Sequence, residues 1–235
     1  VIVLVATGAL ATLPGTAQAV DLPRLLDDVE YWRARHRDDR VAQVWEQVLT
    51  ACPDDLEALS SLADHEEQAK NLDKARSLRE RIEPLLTQAR RSIGTAGLAT
   101  DGPCGGAPRQ QANAVRILTD RALADAASGR KVQALRQIAD LEQGSDHAPV
   151  LMALVARAWS DLGEHDRAIA LLGRAESLAP GQVPAIGLAK GLVLLRLDRL
   201  DKMAQVIDEF DPGVRLSATE VRELDDLRGA LDQAV

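Results

Sequence analysis

The sequence predicts an all-α protein in which helical hairpins stack into a solenoid that ends in a C-terminal capping helix. Three observations predict this class. Helix formers such as Ala, Leu, Arg and Glu dominate the chain, only 2% of its residues are aromatic, and apolar positions recur with a constant period of 34. Most β-sandwiches and barrels need more large rings than this composition provides.

Composition also limits the function. The 235 residues carry a net charge of −8, with 46% hydrophobic and 27% charged residues, which fits one or two soluble acidic units. Such a chain has no net positive field with which to displace counterions from phosphates. We therefore expect neither nucleic acid nor an acidic membrane surface as a partner.

Residues 1–19 are interpreted as a partial signal peptide that lacks its start. An apolar run over 1–13 precedes Pro14 and a small-residue pattern at 17–19, which suits cleavage after Ala19. The run is too short to cross a bilayer, which takes about 20 apolar residues. A buried helix or a membrane anchor is the less favoured alternative. We expect export to the periplasm, where the mature chain does not insert into a membrane but could associate with the outer membrane.

Repeats 1 and 2 are predicted over 22–89. Their apolar positions follow helical spacing in two stretches per unit, so each unit is interpreted as a pair of helices. The positions that recur at the repeat period are Leu25 and Leu59, Val29 and Ala63, Val41 and Ala75, and Val48 and Ile82.

A Gly- and Pro-rich insertion is predicted over 90–113, because the next apolar set is displaced by more than one repeat period. It contains Cys104, whereas Cys52 ends a predicted helix. In an oxidising compartment the two cysteines could form a disulfide. The favoured interpretation is that they lie apart, Cys52 as a small core residue and Cys104 as an exposed loop thiol.

Repeats 3 to 5 are predicted over 114–212, and the last of them is degenerate. Repeat 4 turns at Gly163, where a positive φ costs little, and its second helix ends at Pro180. In the last repeat Ala204 is aligned with Ala168 at a spacing of 36 rather than 34. The recurring positions of repeats 3 and 4 are Leu118 and Met152, Ala122 and Ala156, Gly129 and Gly163, Ala134 and Ala168, and Leu141 and Ala175.

The capping helix is predicted over 213–235. Ser217 and Glu220 form a capping-box pattern ahead of the helix. One side of the predicted helix is apolar and the other is charged, as the solubilising end of an open solenoid requires. The residues on the apolar side are Val221, Leu224, Leu227 and Leu231.

These units resemble the tetratricopeptide repeat (TPR). Repeat 4 follows the TPR signature of spaced large and small apolar residues and a closing proline. The matching residues are Met152, Val155, Ala156, Trp159, Ala168, Leu172 and Pro180. The resemblance implies a right-handed superhelix whose concave side is lined by the first helix of each repeat.

The first repeat carries a more specific string. It has a Tyr31-Trp32 pair, an Arg-rich turn that ends at Asp39, and Pro53-Asp54 before an Ala-Leu helix. This string is similar to the amino-terminal periplasmic TPR region of the cellulose synthase operon protein C family, and the closing stretch over 200–218 resembles the segment that precedes that family's outer-membrane barrel. That resemblance implies a periplasmic scaffold for passing a nascent β-glucan toward the outer membrane. Its implied partners are synthase subunits, the outer-membrane pore and, less directly, the glucan chain.

No catalytic or metal-binding constellation is evident in the sequence. Its four histidines are scattered and none has the spacing of metal ligands. Adjacent carboxylates such as Glu66 and Glu67 point about 100° apart on a helix, so they cannot flank one sugar bond. They are interpreted as solvated surface residues. We expect no enzymatic activity, no metal and no cofactor.

Binding in the concave groove is the predicted chemistry. The repeat register places six charged residues there, which either bond to a peptide or to sugar hydroxyls or merely keep the groove hydrated. Trp32 is predicted to be interior, so Tyr31 is the better platform for a sugar. The predicted groove residues are Glu30, Tyr31, Arg33, Asp64, Glu67, Arg157 and Asp161.

The functional hypothesis is a non-catalytic periplasmic scaffold for protein–protein interaction in cellulose or exopolysaccharide export. Protein partners are favoured over direct binding of polysaccharide, because the chain has so few aromatic residues. Two alternatives come from other classes. One is a general cell-envelope assembly adaptor unrelated to polysaccharide, and the other is a glycan-active enzyme.

Overall fold

The computed structural model describes residues 21–93, 104–210 and 216–234. These ranges contain eleven helices and no strand. The predicted signal peptide over 1–19 lies outside them. The helices are α1 (Leu22–Arg33), α2 (Asp38–Ala51), α3 (Leu56–Gln68), α4 (Leu72–Ser92), α5 (Gly106–Ala127), α6 (Lys131–Gly144), α7 (Pro149–Asp161), α8 (His165–Leu178), α9 (Pro184–Arg196), α10 (Leu200–Asp208) and α11 (Ala218–Ala234).

Ten of the helices in the described ranges form five hairpins, α1/α2 to α9/α10, and α11 follows as a single helix. From α3 onward, the first helix of each hairpin packs on the first helix of the next, in the order α3, α5, α7, α9 and α11. The second helix of each hairpin also packs on the following first helix. This translation of one contact pattern from hairpin to hairpin is that of a solenoid.

The turn inside each hairpin has the same backbone conformation. The five turn residues with positive φ are His36, Lys70, Gly129, Gly163 and Asp198. Successive turns are 34 or 35 residues apart except between the second and third turns, where the insertion lies. At each turn the next residue donates its N–H to the carbonyl five residues earlier, at 2.8–3.1 Å, which closes the first helix. In three of these turns the residue with positive φ is not a glycine.

The fifth hairpin corrects the predicted alignment. Met203 is fully buried, whereas Ala204 is only half-buried. The residue equivalent to Ala168 is therefore Met203, at a spacing of 35, and the prediction that Ala204 takes this place was wrong. The extra residue lies between the turns at Gly163 and Asp198. The hydrophobic face of α10 decides the register, because burying Met203 removes more apolar surface from water than burying Ala204.

The core lies between the two layers of helices, in one cluster from α1 to α9 and a second cluster among α9, α10 and α11. Trp45 and Trp159 are its largest buried side chains, and Ala156 and Ala168 are completely buried in the fourth hairpin. Trp32 is only half-buried, contrary to the prediction that it is interior. No described hairpin precedes α1 to cover it.

Helical structure reaches into both ends of the predicted insertion over 90–113. Helix α4 continues to Ser92, and α5 begins at Gly106, two turns before the predicted third repeat. Part of the predicted insertion is therefore helical, and residues 94–103 lie outside the described ranges.

The two cysteines form a disulfide, which overturns the prediction that they lie apart. Cys52 precedes α3 and Cys104 precedes α5, and their Cα atoms are 5.6 Å apart. Because α5 packs on α3, the starts of these two helices lie side by side. In the same place Arg109 contacts the fully buried Asp55 at 3.2 Å and Glu57 at 3.0 Å. The third hairpin is thus tied to the second by a covalent bond and by a partly buried ion cluster.

Helix α11 begins with the predicted capping box. The Ser217 hydroxyl accepts from the Glu220 N–H at 3.3 Å, and the Glu220 carboxylate accepts from the Ser217 N–H at 2.8 Å. Leu224 and Leu227 are buried, but Val221 remains exposed. Within the described ranges, no helix combines the length and the apolar character needed to span a bilayer.

Candidate protein-binding groove

The first helices α1, α3, α5, α7 and α9 form one side of the solenoid. Helix α11 packs on α9 and also contacts α1, which lies at the other end of the hairpin series. The two ends of this side therefore lie near each other, so the side curves inward. It is the concave groove in which the sequence places its candidate residues.

Glu30 and Arg157, on α1 and α7, are both bound by the capping helix. The Glu30 carboxylate accepts from Arg33 at 2.7 Å and forms a second ion pair with Arg222 of α11. Arg157 donates to Glu223 of α11 at 3.0 Å and makes a second, closer bond to the same carboxylate. The structure thus brings Glu30 and Arg157 to one helix that the sequence treats only as a cap, while Arg33 pairs with Glu30 on α1 itself.

Asp64, Glu67 and Asp161 are also paired within the chain. Arg79 of α4 lies 3.6 Å from Asp64 and forms a closer ion pair with Glu67, whose pKa it lowers. Asp161 of α7 pairs with Arg196 of α9, which ties two neighbouring first helices together. The side chains of these pairs are between one-third and two-thirds exposed, so each can exchange its partner for a ligand.

Asp120 on α5 joins this surface, although the repeat alignment does not indicate it. Burial is the main cause that raises its pKa, while nearby Asp161 and Asp64 raise it further and Arg116 lowers it. The carboxylates of α3, α5 and α7 are therefore close enough to repel one another. The alignment places Leu154 of repeat 4 opposite Asp120, so repeat periodicity carries no signal for a charged residue there.

A cavity of about 370 Å³ opens beside this acidic stretch, between α3, α4 and α5. Two carboxylates and two guanidinium groups provide its charged lining, and two isoleucines provide apolar surface. These residues are Asp64, Asp120, Arg79, Arg121, Ile82 and Ile117. Such a mixed lining can accept a side chain of a partner protein and bond to polar groups at its mouth.

Tyr31 is 48% exposed at the end of α1. Its ring meets Trp32 edge-on, with 4.9 Å between ring centroids, and the Arg35 guanidinium covers its face at 3.6 Å. A sugar ring would have to displace that guanidinium in order to stack on Tyr31.

Glu66 differs from the prediction that it is solvated. It is 6% exposed and accepts bonds from Lys74 at 2.6 Å and from the Asn71 side chain at 2.8 Å. The Lys74 bond is the main cause that lowers the pKa of Glu66. Glu66 lies in the last turn of α3, at the place that Trp32 takes one repeat earlier, and its carbonyl accepts the Asn71 N–H that closes the helix.

The described residues contain no group of three or more His, Cys, Asp or Glu side chains arranged for a metal ion. His147 is exposed, and His165 is half-buried with its Nδ1 3.0 Å from the Ser160 hydroxyl.

Comparison with solved structures supports the fold. The chain is similar to the crystal structure of a thermophilic TPR protein of Thermus thermophilus, with a TM-score of 0.51 and 22% sequence identity. The match covers 90% of this chain and 97% of the other. No protein-family model matches the sequence, and neither does any curated protein. The predicted all-α, TPR-type solenoid is thereby confirmed as the fold.

Proposed function

We propose that the protein is a non-catalytic scaffold that binds other proteins in its concave groove. The observation that carries this proposal is the row of charged residues that α1, α3, α5 and α7 present on the inner side of a TPR-type solenoid. These side chains are held in ion pairs that are partly exposed, so a peptide can replace an internal partner without burying an unpaired charge.

Protein partners suit this groove better than a glucan chain does. The Tyr31 ring is covered by Arg35, so its face is not a free platform for a sugar. The other predicted groove residues carry carboxylates or guanidinium groups, which recognise the charged side chains and termini of proteins. The buried Glu66 and the exposed Glu67 are bonded to different cations, which argues against a pair of glycosidase carboxylates.

We further propose that the scaffold works in the periplasm, in the export of cellulose or a related exopolysaccharide. The resemblance of the first repeat to the cellulose synthase operon protein C family supports this role. The Cys52–Cys104 disulfide supports an oxidising compartment. The partners would then be periplasmic parts of synthase subunits and the outer-membrane pore.

The groove proposal is tested by charge reversal on its acidic stretch. The full chain and its D64R/D161R variant are compared for binding to purified periplasmic segments of a cellulose synthase complex by calorimetry. We expect at least a ten-fold loss of affinity in the variant, because like charges across an interface repel. D73R is the control, since Asp73 is 99% exposed on the second helix α4.

Equal binding by D64R/D161R and the wild type, with unchanged helicity, would contradict the groove assignment. Binding to proteins of envelope assembly, with none to the synthase segments, would leave the scaffold in place and reject the polysaccharide role. Turnover of cellooligosaccharides that is lost in E66Q/E67Q would reject the non-catalytic proposal.

A further inference from the structure

Helix α11 makes contacts that a solubilising cap does not need. A cap has only to cover the last hairpin, which α11 does by packing on α9 and α10. It also reaches α1, whose Glu30 lies 192 residues before Arg222. The next residue, Glu223, pairs with Arg157 of α7, two first helices away from α11.

These two ion pairs, Arg222–Glu30 and Arg157–Glu223, are named here the α11 bridge. The cation Arg222 therefore meets a carboxylate on α1, and the neighbouring carboxylate of Glu223 meets a cation on α7. Arg157 and Glu223 side chains are each 28% exposed, and Glu30 is 19% exposed. Partly shielded charges of this kind attract each other more strongly than fully hydrated ones.

The apolar seat of α11 is separate from the bridge. Leu224 and Leu227 are 5% and 1% exposed among residues of α9 and α10 that include Leu188 and Met203. Gly191 of α9 leaves space for Leu227, since a Cβ there would lie 2.8 Å from its Cδ1. Loss of the bridge would therefore free α11 from α1 and α7 while its leucines still hold it on α9.

We propose that α11 is an internal ligand of the groove, which a protein partner must displace from Glu30 and Arg157. This inference rests on the proposed function of the groove. It identifies the partner as a protein segment that offers a cation to Glu30 and a carboxylate to Arg157, as the Arg222-Glu223 pair does. The free protein then keeps its groove closed, and binding costs the energy of the α11 bridge.

The bridge is suited to reversible opening. Ion pairs between partly exposed side chains contribute little individually, so two of them hold the helix without making displacement prohibitively slow. A partner that reproduces both ion pairs regains the interaction energy that is lost when α11 is released. A partner that reproduces neither pair must offset the loss of the bridge through other contacts, so the bridge favours partners that reproduce both pairs.

The test uses the full chain and its R222E/E223R variant, in which the introduced charges would repel Glu30 and Arg157. Hydrogen exchange of the α11 amides is measured first, and we expect it to rise about ten-fold in the variant. A fluorescent synthetic peptide of residues 216–235 is then titrated. It should bind the variant at least ten-fold more tightly than the wild type, because the groove charges are vacated.

The matched control is D225R/R228E, which reverses an exposed pair on the same helix at 3.6 Å. It should leave both α11 exchange and peptide affinity at wild-type values. A peptide carrying the R222E/E223R changes should not bind the variant protein.

The outcomes separate this inference from the groove proposal. Unchanged α11 exchange in R222E/E223R would overturn the proposal that α11 is an internal ligand. Equally tight binding of the peptide to variant and wild type would also overturn it, but would leave the groove as a binding surface. Faster α11 exchange without any peptide binding would reject the groove as a binding surface. It would also reject competition between α11 and a partner for that surface.

Discussion

At the scale of single residues, Glu142 makes a polar connection between neighbouring hairpins that the sequence does not indicate. On α6, its carboxylate accepts from Trp159 at 2.9 Å, from Arg167 at 2.9 Å and from Arg174 at 3.0 Å. Arg167 also lies over the Trp159 ring at 3.9 Å. One half-buried carboxylate therefore joins the third hairpin to both helices of the fourth.

We predict that E142Q lowers the free energy of unfolding by about 1 to 3 kcal/mol, because charge-assisted bonds are replaced and an amide N–H faces existing donors. Urea denaturation followed by circular dichroism measures the change. D140N, on an exposed part of the same helix, is the control and should shift stability by less than about 0.5 kcal/mol. Equal effects of the two substitutions would show that the Glu142 network adds nothing.

A second prediction at this scale concerns pH. The pKa of Glu66 is lowered from its ordinary 4.5, mainly by Lys74 and then by Asn71. Its ionised form is thus favoured by folding, so its contribution is complete above pH 4.5 and is lost as the pH falls through the folded pKa. E66Q should be less stable than the wild type by about 1.5 to 3 kcal/mol at pH 7.

That difference should narrow as urea midpoints are measured from pH 7 down to pH 3. E80Q, on an exposed part of α4, is the control and should follow the wild type throughout. A gap between E66Q and wild type that stays constant across this range would refute the linkage.

At the scale of elements, the contact between α3 and α5 carries the fold across the insertion. The repeat pattern is interrupted there, so the regular stacking that stabilises the other hairpins needs reinforcement. The Cys52–Cys104 disulfide and the Arg109–Asp55 pair supply it at the starts of the two helices. Asp55 also caps α3 by accepting from the Ala58 N–H at 2.9 Å, so one buried carboxylate serves both helices.

We predict that C52S/C104S loses about 2 to 4 kcal/mol of stability, because the disulfide closes a loop across a separation of 52 residues and restricts the unfolded chain. Urea denaturation with and without dithiothreitol measures this loss. Reductant should lower the free energy of unfolding of the wild type to that of the variant and leave the stability of the variant unchanged. Two reactive thiols in the folded, unreduced protein would contradict the disulfide.

At the scale of the whole molecule, the α11 bridge turns an open row of hairpins into a closed one. A solenoid is normally stabilised only between neighbours, so its end hairpins fray first. Here the first and last elements restrain each other through Arg222 and Glu30. Opening of the groove and fraying of α1 should therefore be coupled, which is why partner binding and stability are expected to change together.

Periodicity in the sequence was enough to predict the hairpins, their order and the capping helix. Helical spacing of apolar residues depends on positions three and four apart, so a short stretch of sequence is enough to recognise it. The turn at Gly163 is visible for the same reason, since glycine favours a positive φ. The turns at His36, Lys70 and Asp198 lack a glycine, and their regular spacing along the chain shows that they are equivalent.

The candidate site was predictable only in part. Repeat register identifies residues such as Asp64 and Arg157 as groove residues, because it fixes the side of a helix on which they lie. It cannot identify their partners, since Arg79 and Glu223 come from other elements. Asp120 was missed because its neighbours in space, not its place in the repeat, make it part of the acidic stretch.

By itself, the sequence determined that this chain forms a stack of helical hairpins, because apolar spacing along a helix is a short-range property. Tertiary structure alone decided that Cys52 meets Cys104, that Met203 rather than Ala204 enters the core, and that α11 crosses the groove to α1. The disulfide depends on the contact between α3 and α5, and the burial of Met203 depends on which face of α10 meets the core, whereas the crossing to α1 depends on the curvature that accumulates from hairpin to hairpin. Small rotations at successive contacts add up over the whole solenoid, and no local pattern records their sum.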